Sequence, residues 1–246
     1  MKRLLLRPLA WLGALALLPA CWAVGAALAG TAPGALLHPG RGVPGFLLVP
    51  EGWALLGGAL AYLLWHRLRP PEFLYTFTHE LTHLAFALLM GKRVSRFEVA
   101  RGSGQVALSG TNPLITLAPY FFPLLAALAL AAGALLGLAV RAPWVRWLTA
   151  FAVGLGLALH VVMTRRALGS AQPDIDRGGR LFSWTVIALA GGVFAGGAAL
   201  GAAGGAGALA LFAGRVAGEL VSAYAWTGRE LMIGLGFLAG RLGALR

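Results

Sequence analysis

Residues 72–90 read EFLYTFTHELTHLAFALLM, and the rest of the chain is best read outward from them. The stretch has the apolar content of a membrane helix, yet it holds His79-Glu80-Leu81-Thr82-His83 between Phe77 and Leu84-Ala85-Phe86. On an α-helix, positions i and i+4 share a face, so His79 and His83 stand one turn apart with Glu80 beside them. Ionisable groups in apolar surroundings are costly and functional by default. Two imidazoles at this spacing can hold one metal ion, and a glutamate next to them can take a proton from water activated there. Pro70-Pro71 separates this helix from what precedes it, because proline removes a donor and restricts its predecessor.

The wider composition agrees with a membrane setting. The chain has 246 residues, 59% hydrophobic and 11% charged, whereas a soluble domain devotes about a quarter of its residues to charge. Apolar blocks of about 18 residues or more are span candidates. They occur at 9–29, 52–65 (extending back toward Phe46), 72–90, 114–140 (bent by Pro119 and Pro123), 145–163 and 181–203, with a weaker one reaching 224 and an interfacial tail from 229. The expected fold is an all-α polytopic membrane protein of about six to seven transmembrane helices. Between 92 and 110, Val94, Phe97 and Val99 and then Val106 and Leu108 bracket Gly102-Ser103-Gly104. That pattern predicts a small membrane-associated β-hairpin after the motif helix. Runs of Ala and Gly read as close helix packing.

The formal net charge is +12. Its carriers flank apolar blocks, as in Arg67/Arg69, Lys92/Arg93, Arg165/Arg166 and Arg177/Arg180, which suits anchoring at a bilayer and argues against nucleic acid. Arginine far outnumbers lysine, and together with abundant Ala and Gly this points to a GC-rich bacterial genome. The expected location is a bacterial cell (inner or plasma) membrane, crossed several times. A single cysteine, Cys21, excludes an intrachain disulfide and a cysteine-built metal site. Residues 1–21 have the outline of a lipoprotein signal ending Leu18-Pro19-Ala20-Cys21, but the apolar run continues to Ala29 and favours an uncleaved span. Orientation meets a conflict. The basic N-terminus and the basic hairpin both favour the cytoplasm, yet two full spans before the motif helix would put them on opposite faces.

A catalytic zinc usually has three protein ligands, so two histidines leave it one short. Asp174, Asp176 and His160 are the candidates. Glu51, Glu72 and Glu98 lie near boundaries and read as solvated, while Glu219 and Glu230 have Arg215 and Arg229 as neighbours in sequence. Asp174 and Asp176 follow Pro173 in a short loop between apolar blocks. Their competing roles are a helix cap or an ion pair with Arg177 or Arg180; for His160 it is an interfacial hydrogen bond.

From His79 to Gly104, these residues resemble the site-2-type intramembrane metalloproteases, peptidase family M50, in a divergent bacterial M50-like branch. His-Glu-Leu-Thr-His runs into Gly91-Lys92-Arg93-Val94-Ser95-Arg96-Phe97 as that family's motif helix runs into its β-hairpin. Gln172-Pro173-Asp174-Ile175-Asp176 is similar to the later segment that supplies a third zinc ligand, although the family's usual Asp-Gly pair is absent. The resemblance implies one Zn2+ per chain held by His79, His83 and Asp174, with Glu80 as general base. Asn112-Pro113 or Gln172 would hold a substrate strand. It implies one membrane domain, 1–246, with N-terminal spans 1–70, a metalloprotease core 71–182, and C-terminal spans and tail 183–246. The substrates would be membrane-embedded or membrane-proximal protein segments, with any regulatory membrane partner unidentified. The alternatives are a proteolytically inactive zinc-binding regulator and a small-solute or metal transporter.

Overall fold

The computed structural model describes residues 2–37, 49–169 and 172–243. Its helices are α1 (Lys2–Leu37), α2 (Pro50–Leu68), α3 (Glu72–Leu89), α4 (Pro113–Phe121), α5 (Leu124–Ala139), α6 (Pro143–Leu168), α7 (Pro173–Arg177) and α8 (Arg180–Gly243). An antiparallel hairpin, β1 (Val94–Ala100) and β2 (Ser103–Leu108), lies between α3 and α4.

The chain is a membrane protein. Three helical stretches are long and apolar enough to cross a bilayer, Pro8–Thr31, Pro143–Leu168 and Arg180–Ala239; the pair α4 and α5, bent by 74°, makes a fourth if taken as one span. The expected six to seven is therefore not confirmed on length and apolarity, for reasons of composition. The 19 residues of α2 include Glu51, His66 and Arg67, and the 18 of α3 include Glu72, His79, Glu80 and His83. The groups suited to chemistry are the ones that make α3 less apolar. A break also hides inside α8, where Gly205 adopts φ 66° and ψ −157°, a conformation open to glycine alone.

At that break α8 reverses along α1. Before it, α8 runs in the same direction as α1, with Phe182 against Gly13, Gly192 against Val24 and Gly196 against Leu28. After it the chain returns, packing Phe212 and Ala208 on Ala27 and donating from Tyr224 OH to the Ala16 carbonyl at 2.8 Å. The helix α1 is continuous through Leu18-Pro19-Ala20-Cys21.

The other half is organised around α2 and α6, which run side by side in the same direction. Glu51 pairs with Arg146 at one end, at 2.9 Å, and Tyr62 OH contacts Met163 Sδ near the other, at 3.8 Å. Glu51, expected to be solvated, is only 5% exposed, because the helix starts meet tightly. Between these ends the backbones nearly touch. A Cβ on Gly58 would fall on the Phe151 carbonyl, and one on Gly154 on the Leu55 carbonyl. Small residues permit such approach where no water drives association.

The helix α3 stops at Gly91, at φ 67°. The Lys92 N–H reaches back to the Ala87 carbonyl at 2.8 Å and the Gly91 N–H to the Leu88 carbonyl at 3.0 Å, the paired bonds of a Schellman stop. This reversal lays the hairpin back along α3, with Phe97 edge-on to Phe77 at 6.3 Å. The turn is Arg101-Gly102, with Gly102 at φ 75°; Ser103 and Gly104 belong to β2, opposite Ala100 and Val99, so the reversal comes earlier than the Gly-Ser-Gly bracket suggested. Gly102 shares a cavity with Pro70 and Pro71 and with Arg166 of α6, placing the hairpin tip beside the start of α3. The start of α1 is at the same end, with Ala10 against Gly179 just before α8. The hairpin tip, Arg101-Gly102, thus reaches the end where α1 starts, whereas Lys92 and Arg93 stay at the far end of α3.

Replacing Gly154 by Ala should destabilise the fold by about 1–3 kcal/mol through overpacking. Gly137→Ala, where a Cβ meets open space, serves as the control. Melting in detergent checks this, and equal transitions for the two variants would refute the close crossing.

Candidate metal centre

Inside apolar surroundings every polar group of α3 needs a partner close by. Its buried threonines find theirs within the helix. Thr76 donates to the Glu72 carbonyl at 3.0 Å, Thr78 to Leu74 at 2.9 Å, and Thr82 to Thr78 at 2.6 Å. The motif side chains are thereby left to face outward from α3 together. His79 and His83 lie with ring centroids 4.9 Å apart.

The helix α4 is built to meet them. Asn112 caps it, its side-chain oxygen accepting from the Ile115 N–H at 2.9 Å, and Pro113 occupies the first turn, where no donor is lost. The Ile115 carbonyl then lies 2.8 Å from His83 Nδ1. A carbonyl only accepts, so Nδ1 carries the proton and Nε2 keeps its lone pair for a metal. One turn further, Tyr120 places its ring 5.3 Å from that of His79 and donates its hydroxyl to Asp174 Oδ2 at 3.4 Å.

The neighbours Asp174 and Asp176 are sorted by the residue between them. Ile175, 2% exposed, inserts into a cluster with Leu117, Tyr120, Phe121 and Ile187, and its carbonyl accepts from Ser183 Oγ at 2.8 Å. With Ile175 inward, Asp174 turns toward the histidines and Asp176 away, to Arg180 at 3.5 Å. Asp174 Oδ2 stands 3.6 Å from His83 Nε2. One ligand atom from each of His79, His83 and Asp174 lies within 4.8 Å of the others. Tetrahedral zinc with bonds of about 2.0–2.2 Å sets its ligands roughly 3.3–3.6 Å apart, so this donor set fits zinc with a small contraction. His160 lies apart from that trio, in a small cavity bordered by His79, Thr82 and Leu159.

Glu80 is the motif's fourth polar element. The strand β2 passes directly over it: a Cβ on Gly104 would come within 2.5 Å of Glu80 Cγ and 2.9 Å of Thr76 Cγ2. Any larger residue there would have to displace the Glu80 side chain or the strand. Sequence reading missed Gly104 as a neighbour of Glu80, and it missed Tyr120 and the Ile115 carbonyl. Tyr120 carried only a faint signal, as a phenol between Pro119 and two phenylalanines in an apolar run. Asn112, expected as a substrate contact, acts as the cap of α4.

Partners of metal ligands typically contribute about 10–100-fold to affinity. Tyr120→Phe, which removes the hydroxyl that donates to Asp174 Oδ2 with almost no change of volume, should weaken zinc binding by about tenfold. Competition against a fluorescent chelator measures this, and unchanged affinity would deny Tyr120 its positioning role.

A family model described as Peptidase M50B-like matches residues 53–172, from α2 through the motif helix, hairpin and α6. No curated protein and no solved structure matches the chain. The match ends two residues short of Asp174, whose place beside the histidines is seen in the fold alone. With the His-Glu-x-x-His helix and the hairpin behind it, this match supports assignment of the chain to the M50B-like peptidase family.

Proposed function

We propose that this protein is an intramembrane zinc endopeptidase that hydrolyses peptide bonds in membrane-embedded or membrane-proximal segments of other proteins. The carrying observation is the convergence of His79, His83 and Asp174 from two distant parts of the chain, with Glu80 adjacent on the same helix. His79, His83 and Asp174 would hold one zinc ion. When bound, zinc supplies the Lewis acid that makes water a nucleophile near neutral pH. Glu80 accepts the proton of the attacking water and later returns it to the leaving amine. The Ile115 carbonyl fixes the tautomer of His83, and Tyr120 restrains Asp174.

A helical peptide bond is shielded, so the substrate segment must unwind before Glu80 can serve it. An extended strand satisfies its exposed backbone by pairing with a sheet edge, and the two-stranded hairpin over Glu80 offers one. Room exists nearby: a cavity of about 370 Å³ reaches from His66 and Arg166 past Gly102 to Tyr75 and Thr76, one turn before His79 and Glu80. Arg67, Arg69 and Arg166 lie at the same end as the hairpin tip. This supports a bacterial inner-membrane protein with that end in the cytoplasm.

Glu80→Gln should lower cleavage by about 10²–10⁴-fold, the usual contribution of a general base, while zinc stays at one equivalent. Asp174→Ala should lose the zinc. Substrates trapped by Glu80→Gln and identified by mass spectrometry supply the assay. Undiminished processing by Glu80→Gln would sink the endopeptidase reading, and metal flux into vesicles would favour transport. Gly104→Ala should keep its zinc yet lose turnover by up to about 100-fold, because misplacement near 1 Å costs that much. Unchanged turnover would show that β2 does not constrain Glu80.

A further inference from the structure

Away from the metal centre, α1 and the returning part of α8 leave a lipid-facing groove of about 730 Å³ between them. Leu18, Pro19 and Trp22 line one wall; Glu219, Ser222 and Trp226 line the other. The second wall is unusual for a surface that meets acyl chains. Glu219, Ser222 and Thr227 fall at helical spacing on one stripe, and a carboxylate facing hydrocarbon is expensive unless something pairs with it. Arg215, four residues earlier, was the partner expected from sequence. Its guanidinium instead lies against Gly30, and among the described residues Glu219 forms no ion pair.

The depth of Glu219 follows from its neighbours. Phe212 packs on Ala27 and Tyr224 reaches Ala16, so Glu219 is level with Trp22, well inside the apolar stretch Pro8–Thr31. A carboxylate snorkels to the interface only from near a helix end; Glu219 has no such exit. A second copy of this chain is a poor occupant. Closed symmetry about the membrane normal keeps equal residues at equal depth, which would set Glu219 against Glu219.

We infer that the groove between α1 and the returning limb of α8 docks a membrane-spanning helix of another protein carrying a lysine or arginine at mid-depth. The basic side chain meets Glu219, Ser222 and Ala223 admit a close backbone, and Trp22 and Trp226 flank the seated helix. The surface is separate from the metal centre, so its role does not depend on Glu80 chemistry.

The test uses the full chain in nanodiscs with a photo-crosslinking residue at position 223. The probes are synthetic single-span polyleucine helices with a central lysine, a central glutamate or leucine throughout. The lysine probe should crosslink at least tenfold more than the all-leucine probe. Glu219→Gln should reduce it to the all-leucine level, and Glu219→Lys should transfer the preference to the glutamate probe. Equal yields for lysine and leucine probes would overturn the inference in favour of a lipid-filled groove. Crosslinks between copies of the chain that exclude the probe would overturn it in favour of self-association. Lysine selectivity that survives Glu219→Gln would overturn the assignment to this carboxylate. None of these outcomes depends on zinc content or cleavage, so each is distinguishable from failure of the protease reading.

Discussion

The hydrogen bond between His83 Nδ1 and the Ile115 carbonyl joins the helix that carries the motif to the helix that answers it. The carbonyls of a helix are taken up by N–H groups four residues on, so one left open for a distant side chain comes from a last turn or from a proline. The helix α4 supplies the proline. Pro119, lying within it, has no N–H for the carbonyl four residues earlier, which is that of Ile115. That carbonyl is thus left for the imidazole. The same proline and Pro123 turn the chain by 74° into α5. Tyr120, on the turn between them, then faces His79 and Asp174. A single missing backbone donor thus connects the bend, the tautomer and the restraint on the acidic ligand.

Much of this was legible in the residues. His79, Glu80 and His83 carry their geometry in their spacing, and the alternation on either side of the glycines announced the hairpin. The third ligand was less legible, because Asp174 and Asp176 have similar local settings. What separates them is Ile175, whose burial depends on Leu117, Phe121 and Ile187, residues remote in sequence. Asp174 was favoured through family resemblance; packing supplies the physical reason. The cap at Asn112 was not legible as such, since an Asn-Pro pair looks the same in a binding loop and at a helix start.

Orientation shows how a segment that turns back complicates a count of charges. Counting spans places the end of α3 opposite the N-terminus. That count is unaffected, but it says nothing of a segment that turns back. The Schellman stop at Gly91 aims the chain along α3 instead of away from it, and the hairpin carries its basic tip back past the motif. Length and apolarity alone do not confirm the span count, for a related reason. Hydropathy measures how comfortably a helix meets lipid, and α3 is shielded from lipid on the side where the hairpin and α4 cover it.

The glycine contact between α2 and α6 has a consequence for how the molecule is made. Tyr62 and Met163 meet although they stand 101 positions apart, and everything that forms the metal centre up to α5 lies between them. During synthesis α2 enters the bilayer long before α6 exists, with the bare backbone at Gly58 open to whichever helix comes near. Non-local pairing of this kind is slow and prone to wrong partners. The half-made protein must therefore keep the face of α2 at Gly58 unoccupied while the motif helix, the hairpin and the bent pair are made. Asp174, which follows α6, joins the histidines only after both helices of that contact exist.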